Sequence, residues 1–511
     1  FDESPVPKFT VVNHISETER LSGQTIENTS YPKSGDKNPI VTLGIADVKS
    51  GSVTFVDTTN YKPEDFIIAR VGWSGDSKRV LFQAQNREQT FLDLNATDKA
   101  TNKTVTLFKE TSPAWVEAID NAKFLQNGNF LWLSAARTGF KHLYLFDGNG
   151  KLLKTLTSGK WEIRSFHGVD EKNGFAYFNA TEHSPIAEQI YRVKLDGSNF
   201  QRLSKEEGSH SAQFNEDFTQ YIDNHSSINT PPNVKTYNAD GTLIKIIGES
   251  KLNAQDKIGK PELLQVKTRD GFTMEAMMIK PSNFDATKKY PVMSYTYSGP
   301  HAQSVKNVWR GDLESWLLEL PQKGYIIWVC DNRTASGKGV ESEYPVYKNF
   351  GESELKDLTD GINYLKSLPY VDSTRIGLYG WSYGGYMTSY AMTHSDVFKV
   401  GIAGGTVADW NLYDSIYTER YMRTPQNNPE GYAKSSVVKA AKNLKGKLLL
   451  VHGTIDDNVH LQNSMQLVYE LQKADKPFQM MFYPTARHGV SNPLQVRHLY
   501  KTMTDFILAN L

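Results

Sequence analysis

Residues 375 to 390 read RIGLYGWSYGGYMTSY, and they set a single serine, Ser382, between Gly380 on one side and Gly384 and Gly385 on the other. The run Ile376 to Tyr379 is short and apolar, as a buried strand is, while Tyr386 to Met392 suits a helix. Glycines at a strand-to-helix turn permit positive φ and close approach of backbones. Such a turn lifts a serine hydroxyl clear of a sheet. It also aims the unpaired N–H groups and positive dipole end of the helix at whatever the serine attacks. Five residues alone are a weak signal, so the rest of the chain has to supply the chemistry.

A serine hydroxyl is a poor nucleophile until a base takes its proton, and the base needs a carboxylate to fix its tautomer. Where Gly-x-Ser-x-Gly sits on an α/β-hydrolase sheet, the partners follow in the order Ser, Asp or Glu, His. Here the run KLLLVHG leads into TIDDNVH, which offers Asp456 and Asp457, and QMMFYP leads into TARHGV, which offers His488. His452 and His460 also lie near the aspartates but in the wrong order. Spacing does not choose between the two aspartates: one should face the histidine, the other solvent or a helix cap. The N–H of Tyr383, next after the serine, is the expected oxyanion donor. The loop after the predicted strand Val292–Tyr297 should give a second donor. It lacks the His-Gly-Gly-Gly of lipases and reads YTYSGPHAQ, so a phenol from Tyr295 or Tyr297 is the candidate.

The elements that must position these groups begin near residue 256. From there apolar strand patterns (Val292–Tyr297, Tyr325–Cys330, Ile376–Tyr379, Lys399–Ala403, Leu448–Val451) alternate with helical ones (Glu354–Leu365, Tyr383–Met392, Leu461–Lys473, Pro493–Leu511). This predicts a mostly parallel, doubly wound sheet, an α/β-hydrolase domain over 256–511. Residues 1–255 read differently, as short β runs such as RVLFQAQ, NFLWLS, HLYLFD, FAYFNA and QIYRVKL. Turn signals follow at Asp47, Asn95, Asp147, Asp196 and Asp240, the last three 49 and 44 residues apart. Four strands per ~45 residues is the period of a β-propeller blade, and five turns predict a partial propeller of about five blades.

Composition removes several functions. Lys+Arg and Asp+Glu both count 57 in 511 residues, which gives no global charge for nucleic acid or an anionic membrane. The one cysteine, Cys330, excludes an intrachain disulfide and a cysteine zinc site. Its apolar surroundings predict a buried, inert thiol. No run approaches the ~18 apolar residues of a membrane span. The chain starts FDESPVPKFT, without Met or a signal peptide, and reads as a mature or trimmed product. Asn-x-Ser/Thr triplets at Asn28, Asn95, Asn102 and Asn179 are weak signs of secretion.

The stretches GWSYGGYM, LYDSIYTERYM, HGTIDDNVH, RHGV, YSGP and YPKSGDKNP together resemble the prolyl oligopeptidase family of serine peptidases, and within it the dipeptidyl peptidase IV branch. The resemblance implies an eight-bladed propeller over an α/β-hydrolase domain. It implies release of N-terminal dipeptides with Pro, or less well Ala, at the second position; a prolyl tripeptidyl peptidase or an endo-acting relative is the alternative. Residue by residue, it implies Ser382 as nucleophile, His488 as base, Asp456 as its orienting carboxylate and Tyr297 as the oxyanion phenol beside the Tyr383 N–H. Tyr413 and Tyr417 match the walls of a proline pocket, with Trp381, Val407, Trp410 and Val459 around them, and Asn458 matches the amide that binds an internal carbonyl. Spacing alone reads Tyr413 and Tyr417, four apart, as one buried helix face. The family holds the substrate amine on a glutamate pair in an aromatic-rich segment. Glu206-Glu207 lacks that setting, so the pair is expected upstream of Phe1, in a separate propeller fragment after nicking or in a segment since lost. The resemblance further implies peptides with a free N-terminus as substrates, a homodimer, a bacterial periplasmic, secreted or cell-surface location, and chemistry that needs no cofactor.

Overall fold

The computed structural model describes residues 1–15, 23–250 and 259–511. The expected domain boundary at 255–256 lies outside the described residues.

Four consecutive antiparallel four-stranded sheets fill most of the first half. Their strands are Ile67–Trp73, Arg79–Gln85, Phe91–Asp98 and Thr104–Thr111; Lys123–Phe124, Phe130–Ser134, His142–Phe146 and Leu152–Thr155; Ile163–Asp170, Phe175–Ser184, Ala187–Lys194 and Gln201–Arg202; and Ser209–Phe214, Gln220–Ser227, Thr230–Asn238 and Leu243–Glu249. A two-stranded pair, Gly44–Ala46 with Val53–Phe55, precedes them as a partial fifth unit. The predicted turns at Asp47, Asp147, Asp196 and Asp240 join the last two strands of their units. Asn95 does not: it lies inside the strand Phe91–Asp98, and the turn comes at Asp98, whose carboxylate accepts the N–H groups of Ala100 and Thr101. An Asx turn needs that short acceptor at its first position, which Asp98 supplies and Asn95, paired across the sheet, does not. Between neighbouring sheets lie apolar seams, for example Phe130, Trp132 and Phe146 against Leu92 and Leu94.

The second half is one eight-stranded sheet. We label its strands β1 (Pro261–Lys267), β2 (Thr273–Ile279), β3 (Tyr290–Tyr295), β4 (Ile326–Cys330), β5 (Val371–Trp381), β6 (Val400–Gly404), β7 (Lys447–Gly453) and β8 (Gln479–Tyr483). They lie in the order 1-2-4-3-5-6-7-8, with pairs 1-2 and 2-4 antiparallel and every later pair parallel. Helices α1 (Glu352–Lys366), α2 (Tyr383–His394), α3 (Ser415–Met422), α4 (Gln462–Lys473) and α5 (Pro493–Asn510) complete the elements used below. One face of the sheet packs through Leu358, Met387 and Leu467, the other through Met503, Phe506 and Trp316. Parallel strands buried on both faces explain why the sequence shows unbroken apolar runs rather than alternation. Cys330 is buried on β4, and burial pushes its thiol well above the ordinary range. Among the described residues no helix is long and apolar enough to cross a membrane.

Candidate active site

Strand β5 delivers Ser382 to the start of α2. The serine has φ 61° and ψ −117°, while Gly380, Gly384 and Gly385 are absent from the left-handed region. Of the two things glycine permits here, the turn uses close approach, and the positive φ falls on Ser382 itself. A Cβ on Gly380 would lie 2.5 Å from the Thr296 carbonyl oxygen, one on Gly384 2.3 Å from the same atom, and one on Gly385 2.4 Å from that of Gly404. The Ser382 N–H donates to Gly404 O at 2.8 Å, which pins the turn to β6.

Two donors converge on the serine. Tyr383 heads α2, so its N–H is one of those a helix leaves unpaired at its start. Its phenol runs the other way and donates to Glu354 at 2.7 Å. That carboxylate is buried, which pushes its pKa up, and it also accepts the Gly351 N–H at the start of α1. The Tyr297 phenol lies beside Ser382; burial raises its pKa and the nearby serine partly offsets that, so it stays a neutral O–H group. Tyr295 faces elsewhere, toward Tyr379, whose phenol donates to Glu314 at 3.1 Å. Strand β3 stops at Tyr295 rather than at the predicted Tyr297, which leaves Tyr297 in the loop and free to turn toward β5.

The loop after β7 separates the two aspartates. Asp456 is sealed from solvent, and its Oδ1 accepts the N–H groups of Asn458 at 3.0 Å and Val459 at 2.9 Å. Its Oδ2 lies 2.8 Å from His488 Nδ1 and 3.2 Å from His452 Nε2. Burial works to raise this carboxyl, but the two imidazoles outweigh it and hold the pKa down at about 2. Asp457 instead faces out and pairs with Arg487 at 2.7 Å, which also holds Glu27 at 3.0 Å. His488 follows β8 and is about a quarter exposed. Its carbonyl accepts the indole N–H of Trp381 at 2.7 Å, so the residue beside the serine holds the residue bearing the base. Gly405, at φ 48°, clears the imidazole: a Cβ there would stand 3.1 Å from its Cε1.

The other histidines have different surroundings. His460 stacks on Phe9 at 3.6 Å and against Tyr31, and burial with nearby Lys33 depresses it to about 4. His452 is fully buried; its Nε2 lies 2.7 Å from Val459 O as well as near Asp456, and its Nδ1 lies 2.7 Å from Ser464 Oγ. Sequence order had set it aside only as a base. The signal that it touches the carboxylate is its place at the end of β7, four residues before Asp456.

An aromatic box adjoins the serine. Tyr413 and Tyr417 meet edge to face at 5.6 Å and 80°, and Trp410 lies parallel to Tyr417 at 6.2 Å. They do not share one helix face, as spacing alone suggested. Tyr413 precedes α3, whose N-cap is Asp414, and only Tyr417 is in the helix, its N–H donating to that cap at 2.8 Å. The Tyr413 phenol donates to Asn458 Oδ1 at 2.8 Å, which leaves the amide nitrogen of Asn458 to donate elsewhere. Trp410, Val407 and Val459 are sealed behind the tyrosines, and Trp381 is part-buried over Gly404. Glu206 and Glu207 stand on the propeller surface, paired with Lys235 at 2.7 Å and His183 at 2.9 Å.

Comparison with known proteins bears on the family. Residues 1–232 match the family described as the dipeptidyl peptidase IV N-terminal region, and residues 313–511 the prolyl oligopeptidase family. The probable dipeptidyl-aminopeptidase B of Botryotinia fuckeliana is 32% identical over 99% of this chain and 58% of its own length. Mouse dipeptidyl peptidase 8 is 29% identical over 100% and 65%. The chain thus spans about three fifths of these relatives. The crystal structure of Porphyromonas gingivalis dipeptidyl peptidase 4 superposes with a TM-score of 0.94 at 31% identity, covering 100% of this chain and 72% of that one. A partial propeller joined to an α/β-hydrolase sheet, with likeness along the whole described length, places the chain in the prolyl oligopeptidase family.

Proposed function

We propose that the protein is a serine exopeptidase that releases N-terminal dipeptides with Pro, or less well Ala, at the second position, through an acyl-enzyme on Ser382. The observation that carries this is the right-angled Tyr413–Tyr417 pair near a serine that has a buried phenol, Tyr297, beside it. A flat, rigid pyrrolidine fits an aromatic box and loses little entropy on binding.

In this reading His488 takes the Ser382 proton as Oγ attacks the carbonyl, while Asp456 holds Nδ1–H and steadies the imidazolium. The oxyanion forms between the Tyr297 O–H and the Tyr383 N–H. His488 then returns the proton to the leaving amine, and a water repeats the sequence to free the dipeptide. The side-chain N–H of Asn458 donates to the internal carbonyl, and Trp381, Val407, Trp410 and Val459 close the pocket. The division into a propeller part over 1–255 and a catalytic domain over 256–511 belongs to the same reading. So do a homodimer, a separate partner fragment of the propeller, and a bacterial periplasmic, secreted or surface location. The separate matches of residues 1–232 and 313–511 support the division, and the likeness to a Porphyromonas gingivalis structure supports the bacterial part of the reading.

Paired rates on Gly-Pro-p-nitroanilide and its N-acetylated twin test the proposal. Cleavage of the free amine alone is the expected result. Equal cleavage of both would overturn exopeptidase action and leave an endo-acting peptidase. Release of a tripeptide from longer peptides would leave the tripeptidyl alternative.

A further inference from the structure

We propose that the propeller sets the fit of the aromatic pocket, and that Arg87 is a specificity-determining positioning residue although it lies almost three hundred positions from Ser382. This rests on the pocket reading above. The short segment Tyr413–Arg420, which carries both box tyrosines, is bound to propeller residues group by group. The Tyr413 carbonyl accepts the Ser34 N–H at 2.9 Å, and the Ser415 N–H donates to Pro32 O at 2.9 Å. The Ser415 hydroxyl donates to Asn38 Oδ1 at 2.6 Å. Gln89 spans α3, donating to Ile416 O at 2.7 Å and accepting from Arg420 Nε at 2.6 Å. Tyr31 donates to the carbonyl of Asn458, the residue that holds the Tyr413 phenol.

Glu419 is the centre of this brace. Its carboxylate is wholly buried two residues after Tyr417, and it accepts both Arg87 Nε and Arg87 Nη2, with the Gly35 N–H at 2.7 Å on the same Oε1. Arg87 Nη2 also donates to Asp36 O at 2.6 Å. A planar guanidinium matches a carboxylate through two parallel N–H bonds, so the pair fixes orientation as well as distance. Removing the arginine leaves a buried charge without its counterion, and such a charge draws in water or moves its helix. The hydrolase domain holds this helix by the Asp414 cap, by packing and, at its far end, by the Lys348 N–H on Tyr421 O at 2.7 Å and the Asn428 amide on Met422 O at 2.9 Å, so the tyrosine-bearing first turn leans on the propeller. A shift of α3 changes the angle and gap between Tyr413 and Tyr417, and thus the discrimination between a proline ring and smaller side chains.

The test uses Arg87→Met, Arg87→Lys and Gln89→Ala in the full chain. Gln89→Ala removes two braces without stranding a buried charge, so it serves if Arg87→Met does not fold. Hydrogen exchange of peptides covering 413–422 is read against those covering 383–394, together with kcat/KM on Gly-Pro- and Gly-Ala-p-nitroanilide. In Arg87→Met, exchange over 413–422 should rise while 383–394 holds, and the Pro-over-Ala ratio should fall about tenfold, the scale of a small pocket misfit. Arg87→Lys should lie between. Unchanged exchange over 413–422, a rise equal in both segments, or a ratio that stays constant while exchange rises would each overturn the proposal. If the unaltered protein shows no preference for Pro, the pocket reading fails, and the exchange pattern alone decides the brace.

Discussion

Asp456→Asn separates a catalytic carboxylate from a merely structural one. Asp456 Oδ1 is fixed by two backbone N–H groups, so an asparagine must place its own carbonyl oxygen there. Its NH2 then occupies the place of Oδ2, facing His488 Nδ1 across a distance that is 2.8 Å in the unaltered protein. Two donors cannot share that contact, so His488 adopts the tautomer with Nδ1 bare and Nε2 protonated, and it can no longer take the serine proton. His452 loses less, because its Nε2–H keeps Val459 O at 2.7 Å. In triads of this kind the wrong tautomer lowers kcat by about 10⁴, or ~5.5 kcal/mol of barrier. The assay is kcat/KM on Gly-Pro-p-nitroanilide, with Asp457→Asn as the partner measurement. Asp457 is exposed and bound to Arg487, so its variant should stay within about twofold, the scale of a surface ion pair. A loss below tenfold for Asp456→Asn, or equal losses for both variants, would refute the reasoning.

Tyr297→Phe keeps the ring and removes the donor, and kcat should fall about 10²- to 10³-fold with a smaller change in KM, as steady-state kinetics will show. Acid should unmask the Asp456 bonds. Because the folded protein holds this carboxyl down at about 2 from 3.8, the stabilisation is fully present above about pH 4 and is lost as pH falls through about 2. The shift corresponds to roughly 2 kcal/mol, so the gap in unfolding midpoint between the unaltered protein and Asp456→Asn should close over that interval, and a gap independent of pH would contradict it. Gly384→Ala drives a methyl to 2.3 Å from a backbone oxygen, and its soluble yield should fall sharply beside that of Ser382→Ala.

The order of chemical groups along the chain was legible because parallel strands bury both faces and leave functional residues at their ends, where apolar runs stop. Ser382, Asp456 and His488 each follow such a run. What separates Asp456 from Asp457 is not local: Arg487 claims the second carboxylate while it also holds Glu27, which is 460 positions away from it. The glycine pattern marks the tight turn but not which residue takes the positive φ: here the serine does, and the glycines make room. The Asp98 turn was read at Asn95 because both are Asx residues and only strand pairing tells them apart. In segment 413–422 the four-residue spacing of the tyrosines reads as one helix face, but the Asp414 cap starts α3 only after Tyr413, and polar contacts with the propeller add to its packing.

The dihedral angles of Ser382 bear on what an inactive copy of this protein would gain. A side chain at φ 61°, ψ −117° sits where glycine is at ease and other residues lose ~1–3 kcal/mol. Exchange of the nucleophile for glycine should therefore yield a dead protein harder to unfold than the living one, and harder to unfold than Ser382→Ala. Thermodynamic fitness and chemical competence pull in opposite directions at this single position. A lineage released from catalysis would find stability waiting at the residue it no longer needs.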